Sequence, residues 1–162
     1  MEKAALILLL AALPAWGYDA NGLALGAPEV EVRKAFPSAH CRALEWKSAA
    51  ADRRCDDARV VFGGAQARIT IYLLADRVQA FDVRFDERDL ARVTTYLKTR
   101  YGKPFAETKE TIERREGAPR ELTKLRWEQG EARALLTSQL NRKRVDLSVW
   151  RGKFDEEIYR IR

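Results

Sequence analysis

The chain is expected to fold as an α+β domain, an antiparallel sheet with helices on one face, assembled from tandem αβββ units. Three observations predict this. Several short segments alternate apolar and polar residues with a period of two. At least two others repeat apolar residues at helical spacing between recognisable caps. The order of these segments, helix then three strands, occurs about twice, with pseudo-repeats over 23–86 and 87–150. Short turns between consecutive strands imply antiparallel pairing, and helices then cover one face of the sheet.

The first helix opens at Gly26-Ala27-Pro28. Proline suits the first helical position because its missing N–H costs nothing there. Glu29 and Glu31 favour the positive end of the helix dipole, Val32 and Phe36 fall on one face, and Pro37 ends the run. Residues 37–57 are the least regular and hold both cysteines, Trp46 and Ala49–Ala51, with a short strand expected around Ala43–Lys47. Three strands follow. Arg59–Phe62 leads to a Gly63-Gly64 turn. Ile69, Ile71 and Leu73 share one face of the next strand. After a turn at Asp76-Arg77, Phe81, Val83 and Phe85 share one face of the third.

Asp86 is a candidate N-cap for the second helix, where Leu90, Val93, Leu97 and Tyr101 recur at helical spacing; Gly102 and Pro104 end it. A second run of strands comprises a polar candidate at Phe105–Glu113, then Leu122–Glu128 with Leu125 and Trp127 on one face. Ala132, Ala134, Leu136 and Leu140 share a face of the next, and Val145, Leu147 and Val149 point inward on the last. Phe154, Ile158 and Ile161 suggest a closing short helix.

Residues 1–17 read as a secretory signal peptide. An unbroken apolar run from Ala4 to Leu13 is broken by Pro14, and Ala15 and Gly17 place small residues before a cleavage point between Gly17 and Tyr18. The run is shorter than the roughly 20 apolar residues of a spanning helix. An uncleaved anchor or a buried helix is the alternative. Cleavage leaves 18–162 as one exported domain, large enough to bury a core, with no transmembrane segment and a periplasmic or secreted location. In an oxidising compartment, the pair Cys41 and Cys55 is most simply a disulfide; a metal pair or a reactive thiol are the alternatives, and the spacing is not C-x-x-C.

The residues offer little for catalysis. The single histidine, His40, neighbours Cys41, but adjacent residues on an extended chain point to opposite sides. No histidine cluster suits zinc, the aspartates near Cys55 lack the ligand order of a calcium loop, and Gly63-Gly64 lacks the Lys-Ser/Thr of a phosphate cradle. Ser138 lacks the glycines of a nucleophile elbow. No catalytic residue, metal or cofactor is therefore expected.

The formal charge of +6 lies wholly in residues 98–162, which carry 17 Lys/Arg against 11 Asp/Glu, while residues 1–97 balance at 13 each. If the apolar set of the last strands faces the core, alternation sends Lys124, Arg126, Arg133, Arg144 and Trp150 outward, with Arg142 at the adjoining turn. Arginine with tryptophan on an open sheet face is a composition favoured at binding hot spots; simple solvation of the strands by charged side chains is the alternative.

The stretch Gly22-Leu23-Ala24-Leu25-Gly26-Ala27-Pro28-Glu29-Val30-Glu31-Val32-Arg33-Lys34-Ala35-Phe36 resembles the opening of BamE/SmpA-like and β-lactamase-inhibitor-like envelope modules. Arg100-Tyr101-Gly102-Lys103-Pro104 and the Trp127 strand look like features of small periplasmic proteins. BamE-type lipoproteins carry an acylated Cys where this chain has Tyr18, so the resemblance does not extend to an outer-membrane assembly role. The inhibitor-like modules grip a protein partner with the open sheet face, which corresponds here to the face of Arg126, Arg144 and Trp150.

The expectation that follows is a periplasmic, non-catalytic binding or accessory module with an envelope protein as partner. The alternative is a binder of anionic envelope components, lipid head groups or acidic polysaccharide. An enzyme is the weakest reading, and no nucleic-acid partner is expected.

Overall fold

The computed structural model of the chain describes residues 17–139 and 142–160. All but Gly17 of the signal peptide expected at 1–17, together with Leu140, Asn141 and Ile161, lies outside the described residues. Tyr18 to Ala24 forms a miniature hairpin, β1 (Asp19–Ala20) and β2 (Leu23–Ala24). Helix α1 follows at Glu29–Ala35, then four strands: β3 (His40–Ala43), β4 (Arg53–Phe62), β5 (Ala65–Leu74) and β6 (Arg77–Asp86). Helix α2 spans Leu90–Tyr101 and is again followed by four: β7 (Ala106–Ile112), β8 (Arg120–Gln129), β9 (Ala132–Gln139) and β10 (Arg144–Arg151). A single helical turn, α3 (Phe154–Glu157), closes the described chain.

Strands β3 to β10 form one antiparallel sheet in the order β3-β4-β5-β6-β10-β9-β8-β7. α1 and α2 thus each precede a four-stranded meander, and β6 joins β10 at the centre, Val83 opposite Leu147. The α+β class and the antiparallel sheet hold. The αβββ unit does not describe the element order, because one more strand follows each helix. The extra strand in the first half is β3, which covers His40–Ala43 rather than the expected Ala43–Lys47. Its placement is fixed by pairing with β4, where Cys41 lies opposite Cys55 and is bonded to it. In the second half the polar Phe105–Glu113 segment is a true edge strand, β7, whose residues are almost all exposed.

Alternation decides the two faces. Ile69, Ile71 and Leu73 of β5, Phe81, Val83 and Phe85 of β6, Val145, Leu147 and Val149 of β10, Leu136 of β9, and Leu125 and Trp127 of β8 all sit on one face and are buried. Val32 and Phe36 of α1, Val93 and Leu97 of α2, and Tyr18, Ala20 and Leu23 complete this core. Burying aliphatic and aromatic side chains of this size stabilises by about 1.5–3 kcal/mol each.

Local chemistry seats the helices. The Asp86 carboxylate accepts from the Arg88 N–H at 3.0 Å, capping the short turn that leads into α2. Gly63 has φ of +55° and its missing Cβ would lie 2.9 Å from the Tyr96 ring, so glycine lets the β4–β5 turn approach α2. At the other end of α2, Arg100 donates to Asp19 at 2.8 and 3.0 Å, and the Tyr101 hydroxyl donates to the Asp19 carbonyl at 2.7 Å. Burial, and then the nearby Asp19 carboxylate, holds the Tyr101 hydroxyl well above its ordinary pKa, so it stays a donor.

The helices are not all on one face. α1 and α2 share the large core, whereas α3 packs on the opposite face. There, Ile158 joins Ala50, Ala51, Tyr72 and Ala80 in a second, smaller cluster, with Leu44, Trp46, Trp150 and Phe154 against it.

Candidate functional site

The face opposite α1 and α2 is assembled from the other parity of the same strands. Register places its residues in rows that cross the sheet. Trp150 of β10 lies between Ala80 of β6 and Arg133 of β9; Ser148 between Asp82 and Leu135; Asp146 between Arg84 and Thr137; Arg144 lies opposite Asp86. β5 extends these rows with Tyr72, Thr70 and Arg68, and β4 with Arg54 and Asp56. β8 adds Lys124, Arg126 and Glu128. The tail and the 44–51 loop cover the end of this face at Tyr72, Ala80 and Trp150. The remainder is open.

The face carries both signs of charge, largely matched in place. Arg84 Nε donates to Asp146 Oδ1 at 2.6 Å. Arg54 makes a forked pair with Asp56 at 2.8 and 2.7 Å, and Thr70 donates to the same carboxylate at 2.8 Å. Burial alone would push the Asp56 carboxyl up, but the Arg54 and Thr70 hydrogen bonds outweigh it and hold the group below its ordinary pKa. Arg126 and Arg133 share Glu128 at 3.4 and 3.6 Å.

Three contiguous depressions run along this face. One of about 320 Å³ is lined by Arg68, Arg84, Asp86, Lys143 and Arg144. A second, of about 420 Å³, shares Arg68 and Arg84 with it and continues past Asp56, Asp82 and Asp146. The third, of about 240 Å³, shares Tyr72, Asp82 and Tyr159 with the second and is walled by Trp150 and Phe154. Together they make a groove with a cationic end at Lys143 and Arg144 and an aromatic, acidic end at Asp82. From Asp86 to Asp82 the groove follows five residues of β6, four steps or about 13 Å at strand spacing.

The six residues singled out from sequence meet different fates. Lys124, Arg126, Arg133, Arg144 and Trp150 do lie on the open face, as their parity requires. Lys124, Arg142 and Arg144 have no ion pair among the described residues, whereas Arg126 and Arg133 are tied to Glu128. Arg142 is exposed beside the β9–β10 turn and does not line the groove. Trp150 does not stand in solvent: it is half-buried, because the chain after β10 folds back and packs Phe154 and Ile158 against its end of the sheet.

β4 to β6 contribute to the face as much as the later strands do. Asp82 and Arg84 alternate with Phe81, Val83 and Phe85, so their outward parity was available. The signal that they neighbour Ser148 and Asp146 was not, because the pairs are more than 60 residues apart. Catalytic geometry gains nothing from Cys41, whose sulfur is in the bridge to Cys55, and among the described residues no group of three His, Cys, Asp or Glu side chains suits a metal ion.

A larger depression, of about 560 Å³, lies at the end of α2 between Tyr18, Arg100, Tyr101, Lys103 and Phe105. Its polar groups already serve the fold: Arg100 and Tyr101 bind Asp19, and Trp127 Nε1 donates to the Gly102 carbonyl at 2.8 Å. No family model, curated protein or solved structure matches the chain, and nothing in these comparisons identifies a BamE/SmpA-like or inhibitor-like type.

Proposed function

We propose that the chain is a non-catalytic binding or accessory module of the bacterial envelope that engages a protein partner with its open sheet face. The observation that carries this reading is the local matching of charge along the groove. Arg84–Asp146, Arg54–Asp56 and the Glu128 cluster cancel much of the positive field where a polyanion would need it. Arg54, cross-strand from Tyr72, and Arg133, cross-strand from Trp150, present instead the mixture of aromatic and guanidinium groups enriched at protein interfaces. The envelope location is supported by the Cys41–Cys55 disulfide, which suits an oxidising compartment, and by the signal-like character of residues 1–17. No described helix is long and apolar enough to cross a membrane.

A second reading keeps one specific observation. Arg68, Lys143 and Arg144 line one depression and have no ion pair among the described residues, which favours an anionic group at that end of the groove. Salt separates the two. The immobilised chain should retain a protein from envelope extract at roughly 1 M salt, where the screening length falls to about 3 Å. Leu135→Arg, which places a long cation on the groove floor, should abolish retention with unchanged melting. Retention of acidic polysaccharide or anionic vesicles that vanishes in high salt, with no protein held, would replace the first reading by the second.

A further inference from the structure

The aromatic end of the groove differs from the rest of this basic chain. None of the residues that line the 240 Å³ cavity is Lys or Arg; its charged lining residues are the carboxylates Asp82 and Asp155. Asp82 lies on the floor, directly opposite Ser148 on β10 and Thr70 on β5. The Ser148 hydroxyl hydrogen-bonds its carboxyl. Arg84, two residues along the same strand, is taken by Asp146 at 2.6 Å. Asp82 has no ion pair among the described residues. Tyr72, Trp150, Phe154 and Tyr159 form the walls.

A recessed carboxyl among aromatic rings, whose nearest guanidinium, Arg84, is paired with Asp146 instead, is costly to the fold, since burial penalises an unpaired charge. Burial, with Asp146 adding to it, indeed holds the Asp82 carboxyl above its ordinary pKa despite the Ser148 hydroxyl. Burial, and then Asp82 itself, pushes the Tyr72 hydroxyl up to about 12, so the ring beside it stays neutral. A rule broken at such a place, where one hydroxyl and no ion pair compensate it among the described residues, marks a site whose partner lies outside the molecule.

We propose that the cavity over Asp82 is a subsite for one organic cation, the lysine or arginine side chain of the protein partner. Aromatic faces attract such a cation through their quadrupole, and the carboxylate supplies a charge-assisted hydrogen bond. The volume fits this occupant, since about 240 Å³ lies below the roughly 300–1,000 Å³ of pockets that enclose a whole small ligand. A divalent metal is the wrong guest: calcium takes about six to eight oxygen ligands, and no cluster of three metal-binding side chains lies there among the described residues.

The partner identification rests on the protein-binding reading of the face; the cation specificity does not, so the test uses small probes. The chain is titrated with n-butylammonium and with methylguanidinium at constant ionic strength, with n-butanol as the neutral control, and followed by backbone amide NMR. Saturable shifts centred on Asp82, Ser148, Trp150 and Phe154 are expected with either cation, and the stronger of the two names the side chain. Asp82→Asn should weaken binding by about tenfold or more, the scale of one charged hydrogen bond. Tyr159→Ala, at a residue 77% exposed whose ring contact is the stack on Trp46 and so of small cost to folding, should weaken it severalfold and serves if Asp82→Asn melts early. Equal binding by Asp82→Asn, equal binding of n-butanol, or shifts that spread without saturating would overturn the subsite. Cation binding by a chain that retains no protein from extract would leave the subsite standing and remove the protein-binding reading; retained protein without cation binding would do the reverse.

Discussion

The same strands make both faces of the sheet, and Trp127 and Trp150 show how differently the faces are held. Trp127 is 1% exposed, lies edge-on to Tyr101 at 5.9 Å, and donates its indole N–H to the Gly102 carbonyl. Trp150 is half-buried under the single turn of α3. One face is closed by two helices over a continuous apolar core. The other is capped at one end only and spends its surface on charged pairs and a groove. Stability should therefore reside on the helix side, and binding on the open side.

The largest effect that tests this is Trp127→Ala, expected to cost about 3–5 kcal/mol in chemical denaturation, against about 1–2 kcal/mol for Trp150→Ala, which loses only part of a buried surface. Equal losses would erase the contrast between the faces. Removal of the Cys41–Cys55 bridge by a double serine substitution should cost about 3 kcal/mol, since the bridge constrains a short loop of the unfolded chain. Free-thiol labelling of denatured, unreduced protein should find none.

Acid should act with opposite sign on two carboxyls. Hydrogen bonds from Arg53 and then Arg33 hold Glu29 below the ordinary glutamate range. Its contribution, about 1 kcal/mol or less because both arginine partners are solvent-accessible, is complete above that range and is lost as pH falls through the depressed value. Asp82 is raised, so its ionisation opposes folding, and stability falls as pH rises from the ordinary aspartate range through the raised value. Glu29→Gln should thus flatten the acid limb of a melting-against-pH curve. Asp82→Asn should melt no lower than the parent near neutral pH, and higher if the charge is present there. The smallest effect is Arg84→Ala, expected to change stability by about 0.5 kcal/mol or less because the Asp146 pair is half-exposed.

Much of the closed face was legible in the residues. Ile69, Ile71, Phe81, Val83, Leu147 and Val149 alternate strictly, and a one-residue slip would have sent them all into solvent, so periodicity alone identifies the core. Asp86 caps the turn at 87–89 that leads into α2 rather than α2 itself, and Gly102 follows its last residue, both for equally local reasons. The open face was half legible. Parity sent Lys124, Arg126, Arg144 and Trp150 outward, but parity is silent on what covers an outward residue, and Phe154 and Ile158 return over Trp150 from beyond the strand. The groove itself depends on β6 meeting β10, a long-range pairing with no local signature. The matching of Arg84 with Asp146 and the isolation of Asp82 follow from that pairing. The edge strands β3 and β7 were obscure because neither contributes a buried alternating set.

The central claim, that the open face and not the helix surface meets the partner, is tested most directly by site-specific photo-crosslinking in cells. A photoreactive phenylalanine analogue is placed at Leu135, on the groove floor, or at Thr95, on the exposed side of α2. The account predicts one discrete protein adduct from Leu135 and none from Thr95. A discrete adduct from Thr95 with none from Leu135 would contradict it.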